Sequence, residues 1–288
     1  MTEATPKTYT SAPLPFMGQK RRFIGEFRKV IKEFSDAAVF VDLFGGSGLL
    51  SHVVKRERPD ATVIYNDFDD FHLRLENIPR TNALIADIRN LVDGKLLPKQ
   101  RLPEEWRMRI LERIKEEETT GFVDYITLSG SLLFSGNYAT TFEEMAKEEF
   151  YHKIRKSDYT AEGYLDGVRI VKCDYRKLFE LTKEMPGVVF LVDPPYLSTE
   201  AGAYKCYWKL ADYLDVLQVL RNHSYVYFTS NKSQIIELID WLTLTKFNSN
   251  PFDGAKRKEL NTQINYSSKY TDIMMFKNIN QKESAACK

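Results

Sequence analysis

The residues best able to do chemistry are Val192-Asp193-Pro194-Pro195-Tyr196, directly after an apolar run. Two prolines stop a strand and hold the next backbone carbonyls away from any ladder. A carboxylate, fixed carbonyls and an aromatic face then stand together. Those parts suit holding a planar exocyclic amine. Asp193 and the Pro194 carbonyl accept its two N–H bonds, and Tyr196 stacks on the ring. The competing reading is a proline-rich turn capped by a buried tyrosine. A second motif is Val41-Asp42-Leu43-Phe44-Gly45-Gly46-Ser47-Gly48. Its glycines let a chain leaving a strand turn tightly and lie close to a ligand. It is not G-x-G-x-x-G, and it lacks the lysine of a phosphate-binding loop, so it suits a ligand without a pyrophosphate. A purely structural turn would look the same. Asn66-Asp67 follows at the end of a second strand. A carboxylate about 20 residues past a glycine turn accepts from ribose hydroxyls, or simply ends its strand in a turn.

These motifs need a sheet to position them, and the pattern supplies one. Strands are expected at Val39–Leu43, Thr62–Tyr65, Val168–Lys172, Val188–Val192, Tyr225–Thr229 and Thr271–Phe276. Helices are expected at Gln19–Phe34, Leu49–Arg56 and Ser233–Trp241. The alternation predicts an α/β fold, a doubly wound and mostly parallel sheet with helices on both faces. Ile88–Gly167 breaks the rhythm. It holds a charged helical stretch at Glu104–Glu118, a small-residue segment at Leu128–Thr141 and a mixed helix at Phe142–Lys156. It reads as an insertion, giving 88–167 as one domain and 1–87 with 168–288 as the other.

Composition excludes several classes. The chain has 288 residues, of which 43% are hydrophobic and 28% charged, which excludes global disorder and collagen. No apolar run approaches the roughly 20 residues of a membrane span. Cys173, Cys206 and Cys287 are odd in number and far apart, so free thiols are expected in place of disulfides. Four scattered histidines argue against a metal site. Net charge is +1, but Met1–Lys32 carries seven bases against two acids. Lys153, Arg155 and Lys156 form a second basic cluster, and Lys256, Arg257 and Lys258 a third. Each cluster is a solvated face or a phosphate contact.

The D-P-P-Y tetrad, and its order after the glycine turn, resemble the Dam-type N6-adenine DNA methyltransferases. Pro15-Phe16-Met17-Gly18-Gln19-Lys20 looks like that family's amino-terminal W-x-G-G-K segment, with Phe16 in place of the usual tryptophan and Gln19 in place of the second glycine. This order is the family's alpha arrangement. The resemblance implies a Rossmann-like fold that uses S-adenosylmethionine without a metal, and double-stranded DNA as the partner. It implies catalytic roles for Asp193, Pro194 and Tyr196. Cofactor contacts would fall to Phe16, Lys20, Asp42, Phe44, Gly45, Gly48, Asp67, Asp174 and Asp193. The insertion 88–167 would be the target-recognition domain, and the two basic clusters outside the amino terminus would bind DNA. A cytoplasmic prokaryotic or phage setting, and an associated restriction endonuclease, follow from the same resemblance. An RNA or protein N-methyltransferase of similar architecture is the first alternative. A nucleic-acid-binding relative without transfer activity is the second.

Overall fold

The computed structural model describes residues 7–92, 99–134, 136–195, 209–231, 233, 235–245, 250–263 and 269–280. They divide into two compact units, one made of Ala12–Phe16 with Asp70–Gly163, the other of the remaining chain. By contact the chain divides at Asp70 and Gly163, whereas the break in the strand–helix rhythm suggested an insertion over 88–167.

The larger unit is a seven-stranded sheet. Its strands are β1 (Val39–Asp42), β2 (Thr62–Asn66), β3 (Arg169–Val171), β4 (Val188–Val192), β5 (Ser224–Ser230), β6 (Lys256–Gln263) and β7 (Lys269–Lys277), in the spatial order β3-β2-β1-β4-β5-β7-β6. The first five are parallel to their neighbours, and β7 returns antiparallel beside β5, with β6 antiparallel on the edge. This is the mostly parallel α/β fold read from the alternation. All five residues of β4 and all seven of β5 are buried. Such runs, without polar alternation, mark strands covered on both faces.

Alternate residues face opposite ways. On one face Val41, Ile64, Phe190, Tyr227 and Met275 pack with helices α8 (Tyr175–Thr182), α9 (Leu210–Leu220) and α10 (Ile235–Leu244). On the other, Phe228 meets Phe23 edge-on at 5.6 Å, just before α1 (Ile24–Lys32). That helix buries Ile24, Phe27, Val30 and Ile31 and leaves Lys29 and Lys32 exposed. Helix α2 (Leu49–Glu57) follows the glycine turn.

The strand β6 was not read from the sequence. Its bases share one edge strand: Lys256 is ion-paired with Glu33, and Arg257 with Glu259 at 2.7 Å. Charged edge strands resist pairing with other chains.

The smaller unit is helical: α3 (Phe71–Glu76), α4 (Ile78–Val92), α5 (Glu104–Thr120), α6 (Tyr125–Leu132) and α7 (Phe142–Met145). Its core joins Leu84, Ile88, Ile110, Ile114, Leu128 and Phe150. The mixed helix expected at Phe142–Lys156 ends at Met145. Buried Met145, Phe150 and Ile154 are spaced five and four apart, which does not make one helical stripe. The backbone turns outward instead: Tyr151 N–H donates to Leu132 O, and His152 N–H to Gln100 O. Arg74 and Asp124 form a buried ion pair at 3.0 Å, and Arg74 Nη2 also donates to Pro15 O at 2.9 Å. No helix among the described residues is long and apolar enough to cross a membrane.

A buried histidine supports the glycine turn from below. His52 Nε2 accepts from Tyr9 N–H at 3.0 Å, so Nδ1 carries the proton and donates to Tyr164 O. Tyr164 stacks on the imidazole, and its hydroxyl donates to Ser47 O at 3.0 Å. Burial pushes the His52 pKa down to about 4, against an ordinary 6.5. As pH falls below 6.5 the unfolded chain takes a proton that the fold refuses until about pH 4, so stability falls through that window. Denaturant melts should show a loss of at most about 2 kcal/mol from this group after solvent screening. His52→Gln, whose amide donates once and accepts once, should flatten that segment of the pH curve. An unchanged slope in the variant would assign the acid sensitivity elsewhere.

Candidate active site

The sheet order reverses between β1 and β4. The chain leaves β1 toward β2 on one side and leaves β4 toward β5 on the other, which opens a crevice at the carboxyl ends of the two central strands. Leu43 N–H donates to Leu191 O at 3.1 Å, so the glycine turn after β1 and Asp193-Pro194-Pro195 after β4 emerge side by side.

Asp193 is held by a lysine. Its Oδ2 accepts from Lys20 Nζ at 2.6 Å, with only 10% of the lysine side chain and 20% of the aspartate exposed. Lys20 Nζ also donates to Gly18 O at 2.9 Å. Burial raises the Asp193 pKa; the Lys20 charge opposes that rise, and Asp272 on β7 adds to it. Asp42 is deeper still. Ser51 donates to its Oδ2 at 2.8 Å, while Oδ1 has no hydrogen-bond partner among the described residues. Burial, helped by the charge of Asp193, lifts the Asp42 pKa to about 7. A buried, unpaired carboxylate oxygen beside a second acid fits a cationic ligand group.

Tyr65 and Asn66 shape the turn. The Tyr65 hydroxyl lies 2.7 Å from Gly46 O and 2.9 Å from Asp67 Oδ1, sharing its single proton between two acceptors. Asn66 Nδ2 donates to Leu43 O and to Cys173 O, both at 3.0 Å, and its Oδ1 accepts from Cys173 N–H at 3.0 Å. One amide thus ties the ends of β1, β2 and β3. Asp67 is buried at the tip of β2.

The remaining sequence-derived residues fall as follows. Phe44 packs on Tyr175 with ring centroids 4.8 Å apart. Gly45 and Gly48 bracket the turn, where Gly48 N–H donates to Gly45 O. Pro194 is buried. Asp174 is exposed and caps α8, accepting from Arg176 N–H at 2.8 Å, which is a structural task the sequence did not reveal. Phe16 sits in the helical unit, edge-on to Phe71 at 5.6 Å, whereas Lys20 belongs to the sheet unit. Tyr196 lies outside the described residues. Lys153, Arg155 and Lys156 are exposed on the helical unit, and Lys256, Arg257 and Lys258 lie on β6 of the sheet unit, so the two basic clusters belong to different units.

Residues 16–242 match the family of D12 class N6 adenine-specific DNA methyltransferases. The chain belongs to that family. A Haemophilus influenzae strain Rd protein named "Putative methyltransferase" is 37% identical over 284 residues, spanning 96% of this chain and 95% of its own. In this D12 family member, sequence reasoning missed Ser51, Tyr65 and Asp272, and it missed the tie made by Asn66. Only the Asn66-Asp67 pair carried a local signal, and that signal pointed to the aspartate.

Proposed function

We propose that this protein transfers the methyl group of S-adenosylmethionine to N6 of an adenine flipped out of double-stranded DNA. The observation that carries the reading is Asp193. Its carboxylate stands at the carboxyl end of β4 beside the glycine turn, ion-paired with Lys20 at 2.6 Å. Membership of the D12 family supports the methyl donor and the adenine. The unpaired Asp42 Oδ1 supports a ligand with a cationic end at the glycine turn.

When bound, S-adenosylmethionine supplies an electrophilic methyl group on a sulfonium. Lys20, Asp42, Phe44, Gly45, Gly48, Asp67 and Asp174 are the candidates to hold it. Asp193 and the Pro194 carbonyl accept the two N6–H bonds, and Tyr196 stacks on the purine. Those acceptors draw the nitrogen toward tetrahedral geometry and free its lone pair from the ring. With the cofactor bound, Asp193 and Pro194 would present the N6 lone pair to the sulfonium methyl, whose bond to sulfur would break as the bond to N6 formed, and the N6 proton would leave afterwards to water. Positive charge that develops on N6 is stabilised by the fixed carboxylate. Alignment of the reacting atoms lowers the barrier by on the order of 7–11 kcal/mol in favourable cases. An adenine within a duplex must leave the stack to reach such a pocket.

The test is incubation with methyl-labelled S-adenosylmethionine and either unmethylated duplex DNA or RNA, followed by digestion to nucleosides. Labelled N6-methyldeoxyadenosine is expected. Label in RNA alone would transfer the assignment to an RNA methyltransferase of the same fold. Label in neither, with cofactor binding intact, would make the protein a silent binding relative.

A further inference from the structure

The glycine turn after β1 has little of its own to hold its shape. Gly46 and Gly48 take φ of 53° and 71°, and glycine backbones reach many other conformations at small cost. Two buried tyrosines supply the restraint. The Tyr65 hydroxyl reaches Gly46 O, and the Tyr164 hydroxyl donates to Ser47 O at 3.0 Å. In a trans peptide the carbonyl and the next N–H point opposite ways. The Ser47–Gly48 peptide is therefore gripped at both ends, because Gly48 N–H donates to Gly45 O at 2.8 Å.

Tyr164 is the first residue of the sheet unit after the helical one, and its neighbours fix it. Its carbonyl accepts from His52 Nδ1, and its ring stacks on the imidazole with centroids 4.9 Å apart. The Tyr9 ring stands edge-on to that of Tyr164 at 5.0 Å, and Tyr9 N–H donates to His52 Nε2 at 3.0 Å. His52 N–H donates to Gly48 O at 2.9 Å, which ties the imidazole's own backbone to the turn. Leu165, the next residue, lies against Gly48, where a Cβ would come within 3.0 Å of Leu165 Cδ2. Tyr9, His52 and Tyr164 are all buried and all belong to the sheet unit. Three segments far apart in sequence thus meet on one carbonyl of the turn, and the transfer chemistry uses none of their side chains.

We propose that Tyr164 is a positioning residue for the cofactor: its hydroxyl, set in place by His52 and Tyr9, holds the glycine turn in the shape that binds S-adenosylmethionine. This rests on the cofactor reading above. A turn without that bond spends part of its time in other shapes, and apparent affinity falls with the fraction of molecules that remain competent. Transfer from cofactor already bound needs no contact from Tyr164.

The experiment measures binding of S-adenosylhomocysteine to the full-length protein by titration calorimetry, at a temperature where circular dichroism shows each variant folded. Tyr164→Phe keeps the ring and removes the hydroxyl. It should raise Kd about tenfold, the worth of roughly one hydrogen bond. Tyr225→Phe is the control. Tyr225 is also fully buried, near the start of β5, and its hydroxyl donates to Pro251 O at 3.0 Å. That variant should lose stability as Tyr164→Phe does, yet keep Kd within about twofold of wild type. His52→Leu should raise Kd as well, and His52→Gln, which keeps one donor and one acceptor, should hold it within about threefold of wild type. In the transfer assay the KM for S-adenosylmethionine should rise with Kd in Tyr164→Phe, while kcat stays within about threefold. A Tyr164→Phe protein with wild-type Kd, an equal loss of affinity in Tyr225→Phe, or equal Kd values for the two His52 variants overturns the proposal alone. A wild type that binds no S-adenosylhomocysteine overturns it together with the reading beneath it.

Discussion

Asp193→Asn should lower the rate of methyl transfer at least about 10³-fold while leaving cofactor affinity within a few-fold of wild type. The amide keeps the shape of the side chain and loses its charge. Two consequences follow. Positive charge developing on the acceptor nitrogen meets a neutral carbonyl dipole in place of a carboxylate, in a site where little water offsets the difference. The amide NH2 also presents a donor where the amine needs an acceptor. Lys20, now 2.6 Å from that carboxylate, loses its counter-ion as well. Asp42 gains, because the nearby like charge that helps raise its pKa is gone. The fold should therefore survive, with a melting temperature within a few degrees of wild type. Single-turnover transfer of labelled methyl groups, beside equilibrium binding of the cofactor, separates chemistry from binding. A variant retaining a tenth of the rate would remove Asp193 from the chemistry.

Gly45→Ala should destabilise the protein by about 3 kcal/mol or more, and cofactor binding should fail with it. A Cβ at position 45 would stand 2.2 Å from Tyr65 Cε2 and 2.5 Å from Asn66 O. Neither can yield. The Tyr65 ring is fully buried, its hydroxyl is tied to Gly46 O and Asp67, and the Asn66 carbonyl belongs to β2. Tyr65→Leu added to Gly45→Ala should recover part of the loss, since a smaller side chain relieves one of the two clashes. Gly25→Ala is the control. Nothing lies within 4 Å of a Cβ there, and the residue sits inside α1, so the change should be neutral or stabilising by about 0.5–1 kcal/mol. Equal melts for the Gly45 and Gly25 variants would overturn the packing argument.

Read alone, the amino-acid order marks the central strands and the turns that end them. A buried strand announces itself by an unbroken apolar run, and what ends it announces itself by Gly, Pro or Asp. Val39–Leu43 before the glycine turn and Val188–Val192 before Asp193-Pro194-Pro195 are both of that kind, and both are central strands. The motif residues Lys20, Asp42 and Asp193 were legible because their types and order match those of a known family. The edge strand β6 was not legible, because Lys256–Gln263 is charged and polar apart from Leu260 and carries no apolar run. The end of α7 was missed because a charged stretch fits a helix until its buried residues are known.

How those residues meet is a property of the packed fold. Gly45 looked like a place for close ligand approach, yet the Tyr65 ring fills the space that a side chain would need. Asn66 looked like the lesser half of a pair, yet its amide reaches Cys173, 107 residues away, and ties three strand ends. Asp42 and Asp193 owe their raised pKa values to burial first, and burial is a property of the packed sheet. The physical reason is common to these cases. Strand endings are local and are written in adjacent residues, whereas the ion pairs, clashes and desolvation at the carboxyl edge arise only when parallel strands bring distant segments side by side.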